Sequence, residues 1–553
     1  MNTVRQTATR RFRLIAAAAV FLGVSGVTIW AQIPVGAGTY YDDGVYLALA
    51  QSLAEGDGYR YANLPGAVPG VKYPPLFPSV LAAGWNVFST YPNNLGPLKG
   101  LNAAIMGLAA SLAFLLFARG RRRRTLVMAS VALFGFLSIP SLSMSTVLIS
   151  EPLFLLTAAA ALLASERLIR VVRSSEPVLL ARGVRLGQRP EAMALVVGGL
   201  AAATFLTRSI GLAVVAAVVI AALIRSGTRS AIVVMVAAAL PSTAWLWWSQ
   251  LRAGAVPEGI LGQYGSYLAW LGSDSAGGTW EAIVRIGRAH WPPLVETLQF
   301  VWVPRSPDLG VYVVLALAAV AFVAGLRSVW RRSPALALFV PLYFAIVFAW
   351  PYEPYRFYYA ILPFIHLIVA TGVLAGVRKF RLEFPSWGMP VGALAGSVLL
   401  LNTLSFQLQG LANKAWASTQ TIPAAAYNPL AAWIRANTSP DAVIASGLDP
   451  YLYWETGRKT VPSWDFSAND YGAYDRRADR LAAGFDRIRY SFDPSYVAVI
   501  EGDYKAAHAL DAYLELHPDR LEKVYETEDL PNTGVIFRLR PGESGEVTPP
   551  TSP

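Results

Sequence analysis

The sequence contains no cysteine and only four histidines among its 553 residues. The lack of cysteine excludes a disulfide framework, a thiolate metal site and a cysteine nucleophile. None of the histidines stands in an HExxH or paired arrangement, which argues against a zinc enzyme. Charged residues are also scarce, at 15% of the chain, whereas an ordinary soluble domain has about 25%. Because 54% of the residues are hydrophobic, the composition predicts an integral membrane protein.

The formal net charge of +11 is unevenly distributed along the chain. Residues 1–408 contain 32 Lys and Arg against 15 Asp and Glu, a net charge of +17, whereas residues 409–553 carry a net charge of −6. The chain is therefore a basic, apolar body followed by an acidic, polar region. Nothing in the sequence resembles a solvated basic groove interleaved with stacking aromatic residues, so we expect no nucleic-acid partner.

Apolar runs of about 20 residues, each long enough to cross a bilayer, recur throughout residues 1–408. We predict eleven spans, near residues 14–31, 98–118, 126–147, 148–166, 191–206, 209–224, 231–250, 309–327, 334–350, 357–376 and 388–408. The first span also has features of a signal peptide, but Ile29-Trp30-Ala31 is a poor cleavage site, and we interpret the span as an uncleaved anchor. We find no internal repeat in the sequence.

The distribution of arginine and lysine indicates how the spans are oriented. In the eleven-span arrangement, 23 of the 32 basic residues in residues 1–408 precede the first span or lie in every alternate connection after it. Basic residues concentrate on the cytoplasmic side of membrane proteins. We therefore predict a cytoplasmic amino terminus and an external carboxyl-terminal region.

This pattern predicts a mainly α polytopic membrane protein with three regions. Residues 1–408 form the transmembrane domain, with long external loops at 32–97 and 251–308. Residues 409–540 form a small external α/β domain, and residues 541–553, rich in Pro, Ser and Glu, are expected to be disordered. The predicted short elements are helices at 45–54, 429–436, 471–488 and 504–516, strands at 442–446 and 496–501, and a closing hairpin around 531–534.

Ionisable residues inside or beside membrane spans are costly, so each is a candidate for function. In the predicted orientation these residues gather at the external membrane boundary: Asp42, Asp43, Lys72, Glu151, Arg208, Glu353 and Arg356. A substrate with a lipid tail and a phosphate headgroup would rest at this depth. Lys72, Arg208 and Arg356 could bind the phosphate through charge-assisted hydrogen bonds. A carboxylate could then take a proton from an acceptor hydroxyl.

Structural interpretations of the same residues stay open at this point. Asp42 and Asp43 could belong to a solvated loop or cap the helix that follows. Lys72 could extend its ammonium group to the membrane interface, and Glu151 could be a structural partner of an arginine. Arg208 is harder to explain in this way, because predicted spans flank it on both sides.

Three motifs follow the first span in order: Tyr41-Asp42-Asp43-Gly44-Val45-Tyr46, Gly56-Asp57-Gly58-Tyr59 and Lys72-Tyr73-Pro74-Pro75-Leu76. Their order resembles the first external loop of GT-C membrane glycosyltransferases, especially the bacterial branch related to protein O-mannosyltransferases and lipid A aminoarabinose transferase. Residues 150–154, 206–211 and 355–358 are similar to further segments of that branch. The resemblance covers roughly residues 10–410.

The resemblance implies an inverting enzyme that uses a polyprenyl-phosphate-linked sugar. Asp42 matches the family's general base. Asp43 replaces the usual Glu with a shorter side chain and would position the acceptor or the base. Lys72 matches a family lysine except that Tyr73 is inserted before the Pro-Pro pair, and aminoarabinose transferases have a carboxylate where this chain has Val71.

The remaining roles follow from the same resemblance. Lys72, Arg208 and Arg356 would stabilise the departing phosphate, and Glu151 would orient one of these cations. Glu353 and Tyr73 would support the site. No cofactor is required besides the lipid-linked donor, although Asp42 and Asp43 with Glu151 could bind a divalent metal weakly.

We therefore expect a glycosyltransferase of the bacterial inner (cell) membrane. It would move a hexose or pentose from a polyprenyl-phosphate donor to a glycan, lipid or protein acceptor at the external, periplasmic face. Two alternatives come from other classes of protein. One is a transporter or flippase of lipid-linked sugars, and the other is a binding module that the membrane body anchors.

Overall fold

The computed structural model describes residues 2–88, 90–118, 122–174, 179–180, 184–185, 190–267, 279–304, 308–350, 352–383, 401–466, 477–527 and 533–540. The chain divides into two compact units. Unit 1 comprises residues 1–32, 99–245 and 283–416, and unit 2 comprises residues 33–98, 246–282 and 417–553. The tail predicted to be disordered, 541–553, lies outside the described residues.

Both units contain helices. In chain order they are α1 (Asn2–Trp30), α2 (Asp42–Glu55), α3 (Leu76–Trp85), α4 (Leu95–Phe117), α5 (Arg122–Leu137), α6 (Ile139–Ser145), α7 (Glu151–Ser174), α8 (Pro190–Thr207), α9 (Leu212–Ser226), α10 (Thr228–Ala253), α11 (Leu261–Tyr264), α12 (Thr279–Trp302), α13 (Asp308–Trp330), α14 (Pro334–Ala349), α15 (Tyr355–Glu383), α16 (Ser418–Asn437), α17 (Asp449–Thr456), α18 (Ala478–Phe492) and α19 (Tyr504–Leu516). Residues 401–412 are also helical.

Eight helices among the described residues are long and apolar enough to cross a membrane. They are Thr9–Trp30, Leu95–Phe117, Glu151–Arg173, Pro190–Thr207, Ser209–Ser226, Thr228–Ala253, Gly310–Trp330 and Tyr355–Arg378. The helices α5 and α6 meet the same criteria together but with a bend of 61° between them, and α14 is a shorter apolar helix. Ten of the eleven predicted spans thus correspond to helices, while the span at 388–408 lies mostly outside the described residues. The chain is a multi-pass membrane protein.

Small residues allow the membrane helices of unit 1 to pack closely. Ala161, Ala201 and Ala217 are fully buried in the core of this unit. A Cβ on Gly198 would overlap the carbonyl of Val234, so α8 and α10 approach each other as closely as a glycine permits. Such contacts between small residues are a main source of helix association inside a bilayer, where burial of apolar surface contributes little.

Unit 2 contains a sheet of five strands in the order β4-β3-β5-β7-β6. The strands are β3 (Ile444–Ser446), β4 (Thr460–Pro462), β5 (Tyr496–Ile500), β6 (Leu521–Glu526) and β7 (Gly534–Leu539), while β1 (Leu179–Leu180) and β2 (Val184–Arg185) form a separate short ladder. Strands β4, β3 and β5 are parallel, and β7 is antiparallel to both β5 and β6. The predicted small α/β region is therefore confirmed.

Most of the predicted elements of this region have observed counterparts. Strands β3 and β5 and helix α19 occupy the predicted places, and α16 includes the predicted helix at 429–436. Strands β6 and β7 form the predicted hairpin. The helix expected at 471–488 is observed as α18, and residues 467–476 lie outside the described range. Strand β4, which is three residues long and contains Pro462, was not predicted. A proline is tolerated there because β4 lies at an edge of the sheet.

The first predicted external loop, from residue 33 onward, and residues 251–282 of the second belong to the same compact unit as the C-terminal domain, whereas residues 283–308 belong to unit 1. The first loop contacts this domain through both hydrogen bonds and aromatic rings. The Trp454 indole donates a hydrogen bond of 3.0 Å to the Gly44 carbonyl, and the rings of Tyr91 and Trp454 lie 4.6 Å apart. The boundary between the two compact units therefore differs from the domain boundary at residue 408 that the composition predicted.

Candidate active site

Asp42 and Asp43 are the first two residues of α2. The exposed N–H groups and the dipole at a helix amino terminus stabilise carboxylates at such positions. Asp43 is buried, and its Oδ1 accepts a hydrogen bond of 3.0 Å from the backbone N–H of Tyr40. Asp42 is only partly buried. The two carboxylates therefore differ: Asp43 stabilises the turn into the helix, and the Asp42 side chain remains accessible to solvent.

Tyr73 contacts Asp42 directly. Its hydroxyl donates a hydrogen bond of 2.6 Å to Oδ1 of Asp42. Burial, reinforced by the negative charge of Asp42, raises the pKa of Tyr73 well above its ordinary value, so the hydroxyl keeps its proton. The Tyr46 ring packs edge-on against the Tyr73 ring, with centroids 4.9 Å apart. The orientation of the donor to Asp42 is thus set by packing.

Lys72 is buried in unit 2 rather than extended to a membrane surface. Its Nζ donates hydrogen bonds to the carbonyls of Gly262 at 2.7 Å and Gln263 at 3.1 Å. Burial lowers the pKa of Lys72 to about 8, an effect that the nearby negative charge of Asp42 opposes. At neutral pH the side chain is therefore mainly a cation whose charge favours the ionised form of Asp42.

A buried carboxylate that was not predicted from the sequence, that of Asp449, lies in the same unit. Oδ2 of Asp449 accepts hydrogen bonds from the hydroxyl of Tyr264 and from Nδ2 of Asn63, the latter at 3.3 Å. The Tyr61 hydroxyl donates to the Tyr264 carbonyl at 3.0 Å. Burial raises the pKa of Asp449 to about 7. These bonds join the first loop, the second loop and α17, and so hold in place the backbone carbonyls that Lys72 contacts.

Glu151, Arg208 and Arg356 form one charged cluster in unit 1. Nε and Nη2 of Arg356 donate to Oε1 of Glu151 at 2.9 and 2.7 Å. Arg208 forms an ion pair with the same oxygen. Glu151 is completely buried, whereas Arg208 and Arg356 keep 12% and 23% of their side-chain surface exposed. The guanidinium of Arg208 also lies over the ring of Phe357, 5.2 Å from its centroid.

The positions of these residues in their helices explain why they meet. Glu151 begins α7, Arg356 is the second residue of α15, and Arg208 follows the last residue of α8. The cluster combines two positive charges with one negative charge, so one formal positive charge remains at partly exposed guanidinium groups. Such groups bind phosphate oxygens well, because their N–H donors match the geometry of the anion.

The structure thus brings together the predicted residues in two groups, one in each unit. Asp42, Asp43, Lys72 and Tyr73 lie near one another in unit 2, and the arginine pair shares Glu151 in unit 1. Glu353 is exposed and takes no part in the hydrogen bonds to Glu151. No group of three or more His, Asp or Glu side chains suited to hold a metal ion occurs in the part of the chain that the structure describes.

The chain has the GT-C fold. It is similar over 96% of its length to the archaeal oligosaccharyltransferase AglB from Archaeoglobus fulgidus, whose structure is a complex with an inhibitory peptide and a dolichol-phosphate. The two chains are 11% identical, the similarity covers 74% of the AglB chain, and the TM-score is 0.52. This chain is also similar over 95% of its length to ArnT from Cupriavidus metallidurans in the apo state, with 14% identity, 97% of that chain covered and a TM-score of 0.52. Both are GT-C superfamily members, so the predicted fold is confirmed. No family profile and no curated protein sequence matches the chain.

Proposed function

We propose that this chain is a membrane glycosyltransferase that moves a hexose or pentose from a polyprenyl-phosphate donor to an acceptor hydroxyl. The observation that carries the proposal is the cluster in which buried Glu151 holds Arg208 and Arg356. A carboxylate that orients two guanidinium groups and leaves one positive charge is suited to a phosphate headgroup. The fold supports the same function, since the similar AglB structure contains a dolichol-phosphate.

In the proposed reaction, the acceptor oxygen attacks the anomeric carbon of the donor sugar. The bond from that carbon to the phosphate oxygen breaks, and its electron pair leaves with the polyprenyl phosphate. The acceptor proton passes to the carboxylate of Asp42, which acts as general base. A single displacement of this kind inverts the configuration at the anomeric carbon.

The remaining residues would support this displacement. Arg208 and Arg356 stabilise the negative charge on the leaving phosphate, and such electrostatic stabilisation commonly dominates rate enhancement. Lys72 adds positive charge for the phosphate and favours ionised Asp42. Tyr73 orients the base, and Asp43 stabilises the turn that presents it. The acceptor is a glycan, lipid or protein at the external face of the bacterial inner membrane.

The test uses the purified full chain in proteoliposomes with undecaprenyl phosphate carrying labelled sugars and a membrane extract as acceptor. We expect the wild type to release undecaprenyl phosphate and to transfer label, and Asp42→Asn to lose transfer by about 10²- to 10⁴-fold, the usual size of a general-base contribution. Asp441→Asn, at an exposed position in the C-terminal domain, is the matched control and should retain activity.

Three outcomes would contradict the proposal. Undiminished transfer by Asp42→Asn would remove this residue from catalysis. Movement of the intact labelled donor across the bilayer without release of undecaprenyl phosphate would instead favour a transporter. Donor binding without either reaction would favour a membrane-anchored binding module.

A further inference from the structure

A polar cavity lies in unit 1, away from Glu151. Its polar lining comes from four helices and a connecting turn: Arg124, Glu166, Ser328, Arg332, Ser333 and Thr371. Glu166 follows Glu151 by four turns of α7, a separation of about 22 Å along the helix axis. The distribution of arginines predicts that this end of α7 is cytoplasmic. The cavity is therefore distinct from the arginine cluster at the start of α7.

Ser333 points to an anionic ligand in this cavity. It immediately precedes α14, a helix of 16 residues, but its side chain does not cap that helix. The hydroxyl is buried, and its Oγ has no hydrogen-bond partner among the described residues. A buried polar group without a partner costs stability. The amino terminus of a helix also attracts negative charge. An anion that accepts a hydrogen bond from the Ser333 hydroxyl would therefore give this hydroxyl a partner and interact favourably with the helix terminus.

The charged residues of the cavity favour a singly charged anion. Arg124 is partly buried, and its Nε has no hydrogen-bond partner within the described part of the chain. Arg332 is exposed at the rim, whereas Glu166 is buried. Two arginines and one carboxylate leave one formal positive charge. This charge matches a phosphodiester, which carries one negative charge, better than inorganic phosphate, which carries between one and two at neutral pH.

The apolar part of the lining indicates where the phosphodiester comes from. Leu116 and Phe117, at the end of the membrane-spanning helix α4, and Val329 line the same cavity. We propose that the cavity binds the phosphate headgroup of an anionic phospholipid from the cytoplasmic leaflet. The phosphate oxygens accept hydrogen bonds from Arg124, Arg332 and Ser333, and the bound lipid joins the start of α5 to the turn between α13 and α14.

The experiment measures thermal unfolding of the purified full chain in detergent with three added compounds. They are dioctanoyl phosphatidylglycerol, dioctanoylglycerol (which lacks the phosphate) and inorganic phosphate. We expect only the phosphatidylglycerol to raise the unfolding temperature of the wild type, with saturation. Stabilisation of the same size by dioctanoylglycerol would overturn the anion site, and saturable stabilisation by inorganic phosphate would overturn the lipid as its occupant.

Variants separate this site from a general effect of lipid. We expect Arg332→Gln to raise the half-saturating lipid concentration about tenfold, and Ser333→Ala to raise it by a smaller factor. Glu166→Gln should leave it unchanged or lower it, since a negative charge is removed. Arg331→Gln, at the exposed neighbouring position, is the control. Equal lipid responses of Arg332→Gln and Arg331→Gln would overturn the proposal, whatever the variants' stability without lipid.

Discussion

The hydroxyl of Tyr73 donates a hydrogen bond of 2.6 Å to Oδ1 of Asp42 at the amino terminus of α2. Because burial keeps the Tyr73 proton in place, this bond can only orient and stabilise the carboxylate. A hydrogen bond to a charged group contributes about 1.5–3 kcal/mol. The pair therefore offers a direct test of Asp42 as the general base.

We predict that Tyr73→Phe lowers kcat by about ten- to a hundredfold while the KM for the lipid-linked donor changes little. Steady-state kinetics in proteoliposomes measure this. Tyr91→Phe is the matched control, because Tyr91 also donates to a carboxylate in unit 2, that of Glu455, and should leave kcat unchanged. Equal losses in the two variants would mean that Tyr73 acts through general packing.

The Glu151 cluster predicts different effects for substitution of its carboxylate and of its arginines. Glu151→Gln leaves two guanidinium groups side by side without the buried carboxylate, and breaking a buried ion pair in this way costs about 3–5 kcal/mol. Its unfolding temperature should therefore fall clearly. Arg208→Gln keeps the pair of Glu151 with Arg356, so we expect a smaller loss of stability but a donor KM more than tenfold higher.

Thermal unfolding and donor titration measure these two effects. Arg229→Gln is the control, since Arg229 pairs with Glu191 at an exposed position and should change neither quantity. An unaltered donor KM in Arg208→Gln would exclude that residue from the phosphate site. A Glu151→Gln variant as stable as the wild type would show that the cluster is not held together by its charge.

Because the Asp449 carboxyl is buried, we predict that the stability of the fold depends on pH. Burial raises the pKa of this carboxyl from 3.8 to about 7, so between these values the folded chain binds a proton that the unfolded chain has released. The free energy of unfolding should therefore decrease as the pH rises through this range, by up to about 4 kcal/mol, and level off above about pH 7. Asp449→Asn resembles the protonated form and should lack this decrease.

Thermal unfolding of both proteins from pH 5 to pH 8 measures the difference. We expect the unfolding temperature of the wild type to fall relative to that of Asp449→Asn as the pH rises. Parallel curves would show that Asp449 does not hold its proton in the folded state. The comparison between the two proteins cancels other titrating groups, which both share.

The lack of cysteine makes the predicted orientation easy to test. We predict that a cysteine introduced by Asp441→Cys, in the C-terminal domain, reacts with a membrane-impermeant maleimide in intact spheroplasts. One introduced by Arg331→Cys, between α13 and α14, should react only after lysis. The cysteine-free wild type is the background control. The reverse labelling pattern would mean that the arginines mark the external side.

The sequence predicted the membrane body well, because a bilayer imposes a simple requirement on it. Each crossing segment must be apolar over about 20 residues and must satisfy its own backbone hydrogen bonds. Hydropathy therefore located α4, α7, α8 and α10, among others, without any knowledge of their neighbours. Prediction was weaker in unit 2, where the three-residue strand β4 and the short helix α17 depend on partners distant in the chain.

Prediction of the candidate site residues was limited for the same reason. The cost of placing charges near a membrane was sufficient to single out Glu151, Arg208 and Arg356 one by one. No local signal distinguished Asp449, Tyr264 or Asn63 from ordinary loop residues. Asp449 contacts Asn63 across 386 positions of the chain, and only the packing of the loops against the C-terminal domain makes that carboxylate a buried group.

Composition and residue order alone determined a multi-pass membrane protein, the course of its spans and a short set of charged candidates, since these follow from the transfer of each segment between water and lipid. The tertiary structure decided which of those charges share a partner. Glu151 and Arg356 are 205 positions apart and meet because α7 and α15 both begin at one place in unit 1. A buried charge destabilises the fold or serves a function depending on the residues around it, and the packing of the tertiary structure decides which residues those are.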